Sequence, residues 1–137
     1  MRVVIDTNVL VSGVMNPQGP RIADEVLAGA FTVLYDDRIM SEYREVLARP
    51  AFGFILTDID ALLDFIEMTG ELVTGLRLPI VLPDSRDLPF LEVAAAGRAD
   101  AVITGNTRHF KPRRGQHGVK ICTPAEFVRS WPADIVT

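Results

Sequence analysis

Residues 1–13 read MRVVIDTNVLVSG, and the fold turns on how this stretch is understood. Val3, Val4 and Ile5 are β-branched and apolar, which marks residues 2–5 as a short buried strand, and Asp6 stands where that strand leaves the sheet. Asp, Thr and Asn all cap helices well, so Asp6-Thr7-Asn8 reads as the start of a helix running over 9–14. The same Asp6 also reads as a functional group, because the carboxyl ends of parallel strands are where open α/β sheets bind ligands. The sequence around Asp6 supports both readings.

Working outward, strand-like and helix-like runs alternate along the chain. Residues 19–29 read as a helix with Ile22, Val26 and Leu27 on one face, and 31–35 as a strand. Asp36 and Asp37 open a helix in which Ile39, Met40, Tyr43, Val46 and Leu47 recur at helical spacing until Pro50. Residues 58–73 read as a helix interrupted late by Gly70, and 78–82, set among prolines, as an edge strand or an extended connection. An alanine-rich helix over 87–97, strands over 101–104 and 119–122, and a helix over 123–131 opened by the capping sequence TPAE complete the pattern. Continuous apolar strands alternating with helices define a parallel sheet covered on both faces. The expected fold is a three-layer α/β/α sandwich around a mainly parallel five-stranded sheet, formed by the 137 residues as one domain.

Composition narrows the function. No apolar run is long enough to cross a bilayer and no signal-peptide profile opens the chain, so a cytoplasmic protein is expected. The lone Cys122 excludes an internal disulfide, and with two histidines it supplies no zinc set. No strand is followed by a dinucleotide or P-loop glycine motif. The net charge of −4 is unusual for a nucleic-acid binder, but residues 107–120 carry Arg108, Lys111, Arg113, Arg114 and Lys120 with no acid among them. That segment reads as a solvated loop or as a set of phosphate contacts.

Of the 18 acidic residues, Asp58, Asp60, Asp64, Glu67 and Glu71 are explained as the polar face of one helix. Other positions resist that account. Asp6 ends the first strand. Glu42 lies at the margin of an apolar helix face, where spacing alone does not separate it from Glu45. Asp84 and Asp87 lie in PDSRDLPF, where Asp87, two residues before Pro89, is a natural N-cap. The fourth strand ends in Thr104, Gly105 and Asn106, much as the first ends in Asp6, Thr7 and Asn8. If these two strands are neighbours, their ends open into one crevice, and carboxylates gathered there need a hard divalent cation such as Mg²⁺ or Mn²⁺ to offset their repulsion. Such a site suits phosphodiester hydrolysis.

VVIDTNVLVSG, SEYREVL, LPDSRDLPFLEVAAAG and ADAVITGN, in that order, resemble the PIN-domain family, in particular the bacterial and archaeal PIN proteins described as toxin components of toxin–antitoxin systems and related to the VapC toxins. The resemblance runs from Arg2 to about Trp131. It implies a Mg²⁺- or Mn²⁺-dependent ribonuclease leaving a 5′-phosphate, with Asp6, Glu42 and Asp87 as catalytic acids and metal ligands, and Asn8 and Thr104 orienting them. It further implies a small antitoxin partner and a homodimer. Asn106 departs from the pattern, since many PIN nucleases carry a fourth acid there; Asp84 is the candidate substitute ligand, or else the cap of the helix that follows. On this reading Arg108, Lys111, Arg113 and Arg114 contact the RNA backbone. An inactive binding module, with Asn106 as its mark, and a receiver-like phosphoacceptor using Asp6, Thr104 and Lys120 are the competing readings.

Overall fold

The computed structural model of the chain describes residues 1–15, 29–74, 77–110 and 118–130. The helix expected over 19–29 falls mostly outside these residues, as do Lys111, Arg113, Arg114 and Trp131. The described elements are β1 (Arg2–Ile5), α1 (Thr7–Met15), β2 (Thr32–Tyr35), α2 (Asp37–Leu47), α3 (Leu56–Thr69), β3 (Glu71–Leu72), α4 (Leu88–Gly97), β4 (Ala101–Ile103), β5 (Ile121–Cys122) and α5 (Pro124–Ser130). Short 3₁₀ turns occupy Pro50–Phe52, Ser85–Asp87 and Thr107–Phe110.

The strands form one five-stranded sheet in the order β3-β2-β1-β4-β5, and every pairing is parallel. β1 lies at the centre, with Val3, Val4 and Ile5 fully buried, which accounts for its unbroken apolar run. The chain winds from β1 through β2 to β3 on one side, then returns to place β4 and β5 on the other. The direction therefore reverses between β1 and β4, whose pairing sets Ile5 opposite Ile103. That point is where an α/β sheet of this kind opens a crevice at its strand ends. The fold is a three-layer α/β/α sandwich, as the alternation of runs predicts.

The third strand differs from expectation. It is Glu71–Leu72, pairing with Leu34 and Tyr35 of β2, whereas residues 78–82 form an extended connection without ladder pairing. Pro79 and Pro83 offer no N–H to a ladder, and the segment is held instead by the Leu78 N–H, which donates to Glu92 at 2.7 Å, and by the burial of Leu82. α3 ends at Thr69 because Gly70 passes between the last turn of the helix and β2. A Cβ there would lie 2.5 Å from the Ile66 carbonyl oxygen and 2.6 Å from that of Val33. Both neighbours are backbone atoms with little room to yield, so Gly70→Ala is expected to destabilise the protein by about 2–3 kcal/mol through overpacking. Urea denaturation measures this, and a change under about 0.5 kcal/mol, the scale of ordinary surface substitutions, would mean the junction relaxes freely. Glu71, expected on a helix face, pairs instead with Arg2 at 2.7 Å across the sheet.

Two apolar anchors fix the elements around the crevice. Tyr43 is fully buried, packs near Phe90 with ring centroids 6.4 Å apart, and donates its hydroxyl to the Ile5 carbonyl. This bond pins α2 to the carboxyl end of β1. On α4, Phe90, Leu91, Val93 and Ala94 are buried together with Glu92, whose carboxylate is paired with Arg38 at 2.7 Å. α5 opens with the reciprocal bonds of a capping box, Thr123 and Glu126 each accepting the other's N–H at 3.0 Å.

Candidate metal centre

Asp6 opens α1 and also presents its carboxylate at the carboxyl end of β1. Its backbone carbonyl accepts from the Val9 N–H at 3.0 Å, opening α1, while its carboxylate accepts from the backbone N–H groups of Thr7 and Asn8. The positive end of the helix thus steadies a charge that is only 5% exposed. The other contact comes from β4. Thr104, fully buried, donates its hydroxyl to Asp6 Oδ2 at 2.7 Å and accepts the Asn106 N–H at 3.0 Å. An ionised carboxylate can only accept, so the Thr104 hydroxyl gives its one proton to Asp6 while a lone pair takes the Asn106 N–H.

α2 holds Glu42 and Glu45 differently, although both line the same cleft. Once Tyr43 is locked against Ile5, Glu42 lies beside α1 and accepts from the Thr7 hydroxyl, whereas the Glu45 side chain is 74% exposed and 3.8 Å from Arg49. Asp87 also resolves plainly. It precedes α4, but its carboxylate makes no capping bond; it lies 2.9 Å from His109 Nδ1 instead. Asp84 caps the 3₁₀ turn Ser85–Asp87 that leads into α4, accepting from the Arg86 N–H at 2.9 Å and holding the Arg86 guanidinium as well.

Asp6, Asn8, Glu42, Glu45, Asp84, Asp87 and His109 line one cleft of about 310 Å³ at the carboxyl ends of β1 and β4. Arg49 and Arg86 also line it. Thr104 acts from beneath through Asp6. Asn106 is not among the lining residues; its carbonyl accepts from the His109 N–H at 2.9 Å and so starts the turn that carries His109. Arg108 is exposed on that same turn and does not line the cleft. Among the described residues, the cations in the cleft wall are Arg49 and Arg86, neither of which the sequence singles out. His109 was equally silent, as one histidine in a basic stretch. Its only local mark is the neighbouring Phe110, fully buried, which anchors the turn.

The electrostatics are those of crowded, partly desolvated acids. Burial raises the Asp6 carboxyl above its ordinary value, against the opposing bonds from Thr104 and the two backbone N–H groups. Asp87 is pushed up to about 6, by burial first and by the negative charge of Asp6 second, against the His109 contact. Asp84 is held down at about 2 by Arg86. A divalent cation fits this donor set: carboxylates sharing one concave, polar cleft, with Asp6 and Asp87 made reluctant to ionise chiefly by burial.

A doubly wound parallel sheet with acids gathered at its switch point defines a class of α/β protein whose chemistry sits at the ends of the two central strands. Within that class the chain belongs to the PIN domain family, whose model matches residues 2–108. Two solved structures share its fold. VapBC-1 from nontypeable Haemophilus influenzae superposes with a TM-score of 0.56 at 16% identity, covering 91% of this chain and 99% of that one. VapBC2 from Rickettsia felis, bound to a DNA fragment from its promoter, superposes at 0.55 with 16% identity over 90% and 98%. No curated protein sequence matches the chain.

Proposed function

We propose that the chain is a Mg²⁺- or Mn²⁺-dependent endoribonuclease and the toxin of a toxin–antitoxin pair. The observation that carries this reading is the meeting of Asp6, Glu42 and Asp87, from three distant parts of the sequence, in the wall of one cleft at the sheet's switch point. Membership of the PIN domain family supports nuclease chemistry. The likeness to VapBC assemblies supports a small antitoxin partner that covers the acidic cleft.

In this reading Asp6, Glu42 and Asp87 hold the cation. A divalent ion held there would supply polarisation of the scissile phosphate and a more acidic water. Thr104 and the α1 N-terminus aim Asp6, and Thr7 aims Glu42, so the carboxylates are positioned before substrate arrives. A carboxylate of the cleft takes the proton of the attacking water. Arg49 and Arg86 line the cleft and would meet flanking phosphates, and in this reading Arg108, Lys111, Arg113 and Arg114 supply further phosphate contacts. We further propose that the chain works in the cytoplasm as a homodimer; among the described residues no helix is long and apolar enough to cross a membrane.

The test is cleavage of a labelled, mostly single-stranded RNA pool by the purified protein with Mg²⁺, with Mn²⁺ and with chelator. Cleavage that requires the ion and leaves 5′-phosphate ends is the expected result. A folded, partner-free sample that cleaves nothing with either ion would replace this reading with that of an inactive binding module.

A further inference from the structure

We propose that an unpaired base of single-stranded RNA stacks on the ring pair Phe52–Phe54, beside Arg49, as the strand leaves the cleft. The inference rests on reading the cleft as a ribonuclease site and names the form of RNA it takes. α2 brings Val46 and, just past its end, Arg49 to the cleft wall. The chain then tightens into the 3₁₀ turn Pro50–Phe52, in which the Phe52 N–H donates to the Arg49 carbonyl at 3.1 Å, so the first ring follows one turn after a cation of the cleft. Gly53 comes next in the left-handed conformation, φ 66°, which glycine adopts without strain, and Phe54 lies back alongside Phe52. The two rings are nearly parallel, 16° apart, with centroids separated by 5.5 Å.

Both rings pack against the core yet are only half-buried, and Ile55 and Leu56 just beyond them are exposed. Tyr43, Phe90 and Phe110, close in sequence to Glu42, Asp87 and His109, are buried and present no face to a ligand. A parallel aromatic pair extends readily by a third flat ring, and any base can supply it, because every base has a π-face. Charge favours RNA over a basic peptide as the occupant. Residues 46–57 hold Arg49 and no acid, so a polyanion running on from the cleft meets a cation and no carboxylate along this stretch. Arg49 takes a phosphate and the rings take a base. A base paired in a duplex is unavailable for the second contact, so the arrangement selects single strands.

The experiment uses the full chain carrying Asp6→Asn, which binds RNA without cutting it, and a short single-stranded RNA with the fluorescent base 2-aminopurine at each position in turn. Stacking on an aromatic ring quenches that base. Quenching at one position is the expected result, retained in Phe54→Trp and lost when Phe52→Leu and Phe54→Leu are combined. The double substitution keeps apolar side chains but removes the π-faces, and it should weaken single-strand binding about 5–100-fold while leaving duplex binding and the salt dependence unchanged. Thermal unfolding confirms that the variants keep the fold, and cleavage by the chain with Asp6 intact is assayed alongside. Cleavage with no quenching at any position, or with single-strand affinity unchanged in the double variant, would overturn this inference alone and leave the ring pair to a protein partner. Neither binding nor cleavage would overturn the ribonuclease reading with it.

Discussion

Asp6→Asn is expected to lower metal-dependent RNA cleavage by about 10³-fold or more while the protein keeps its fold, a loss equivalent to about 4 kcal/mol of transition-state stabilisation. The substitution isolates charge from shape. Asn is nearly isosteric with Asp, and its carbonyl oxygen still accepts the bond that Thr104 must donate. What disappears is the negative charge at the deepest point of the cleft, only 5% exposed and steadied by two backbone N–H groups of α1. A buried carboxylate on a rigid strand end holds a cation in a fixed place relative to the scissile phosphate, and such preorganised electrostatics supply much of an enzyme's rate. Cleavage assays with Mg²⁺ and with Mn²⁺, alongside thermal unfolding, check the expectation. Loss of activity together with a collapsed melting transition would show a structural role only, and retained activity would remove Asp6 from the mechanism.

Asp87→Asn should separate stability from function even more clearly, because the two respond in opposite directions. In the folded protein the Asp87 carboxyl lies at about 6, above the ordinary carboxylate range of an unfolded chain. Below about pH 4 both states are protonated and the group has no effect. Between pH 4 and 6 the folded state keeps a proton that the unfolded state has released, and above 6 it gives that proton up at a cost. The metal-free protein therefore loses stability as pH rises across this window. A shift of about two units corresponds to at most about 3 kcal/mol, and solvent in the open cleft reduces this to about 1–2 kcal/mol. With chelator at pH 7.5, Asp87→Asn is expected to be more stable than wild type by that amount, and the gain should vanish near pH 4. Added Mn²⁺ reverses the ranking, since an ion at a hundredfold its dissociation constant stabilises the wild type by about 2.7 kcal/mol. Urea denaturation at the two pH values, with and without the ion, reads all of this. Equal stability of the two proteins at pH 7.5 without metal would mean that the Asp87 charge is already compensated.

Both expectations concern residues whose importance is only partly legible in a one-dimensional reading. The apolar runs of β1, β2 and β4 identify themselves, because a strand buried on both faces needs no polar alternation. β3 does not. Two residues after a glycine carry no pattern, and their pairing with Leu34 and Tyr35 follows from Gly70 fitting against the Val33 carbonyl, a contact between segments far apart in sequence. The proline-flanked run over 78–82 has the composition of a strand but lacks a neighbour to pair with, and is held by one bond to a buried Glu92.

The same division runs through the site. Asp6 was marked by its place at the end of a strand, and the family pattern drew Glu42 and Asp87 toward it. Helical spacing treats Glu42 and Glu45 alike; the Tyr43 hydroxyl on the Ile5 carbonyl is what turns Glu42 toward Thr7, while Glu45 stays at the exposed rim of the same cleft. Local sequence likewise makes Asp87 a cap, yet its carboxylate makes no capping bond and turns to His109 in the cleft, while Asp84 caps the 3₁₀ turn before it. His109, Arg49 and Arg86 join only because β4 lies beside β1 and α2 packs against α1 and α4. Short-range patterns of hydrophobicity and capping determined, from sequence alone, that this chain builds a parallel α/β sheet with an acid at its central strand. Which side chains share the cleft with that acid was decided by the tertiary structure, since side-chain proximity across 36 to 103 residues depends on packing and leaves no periodic trace.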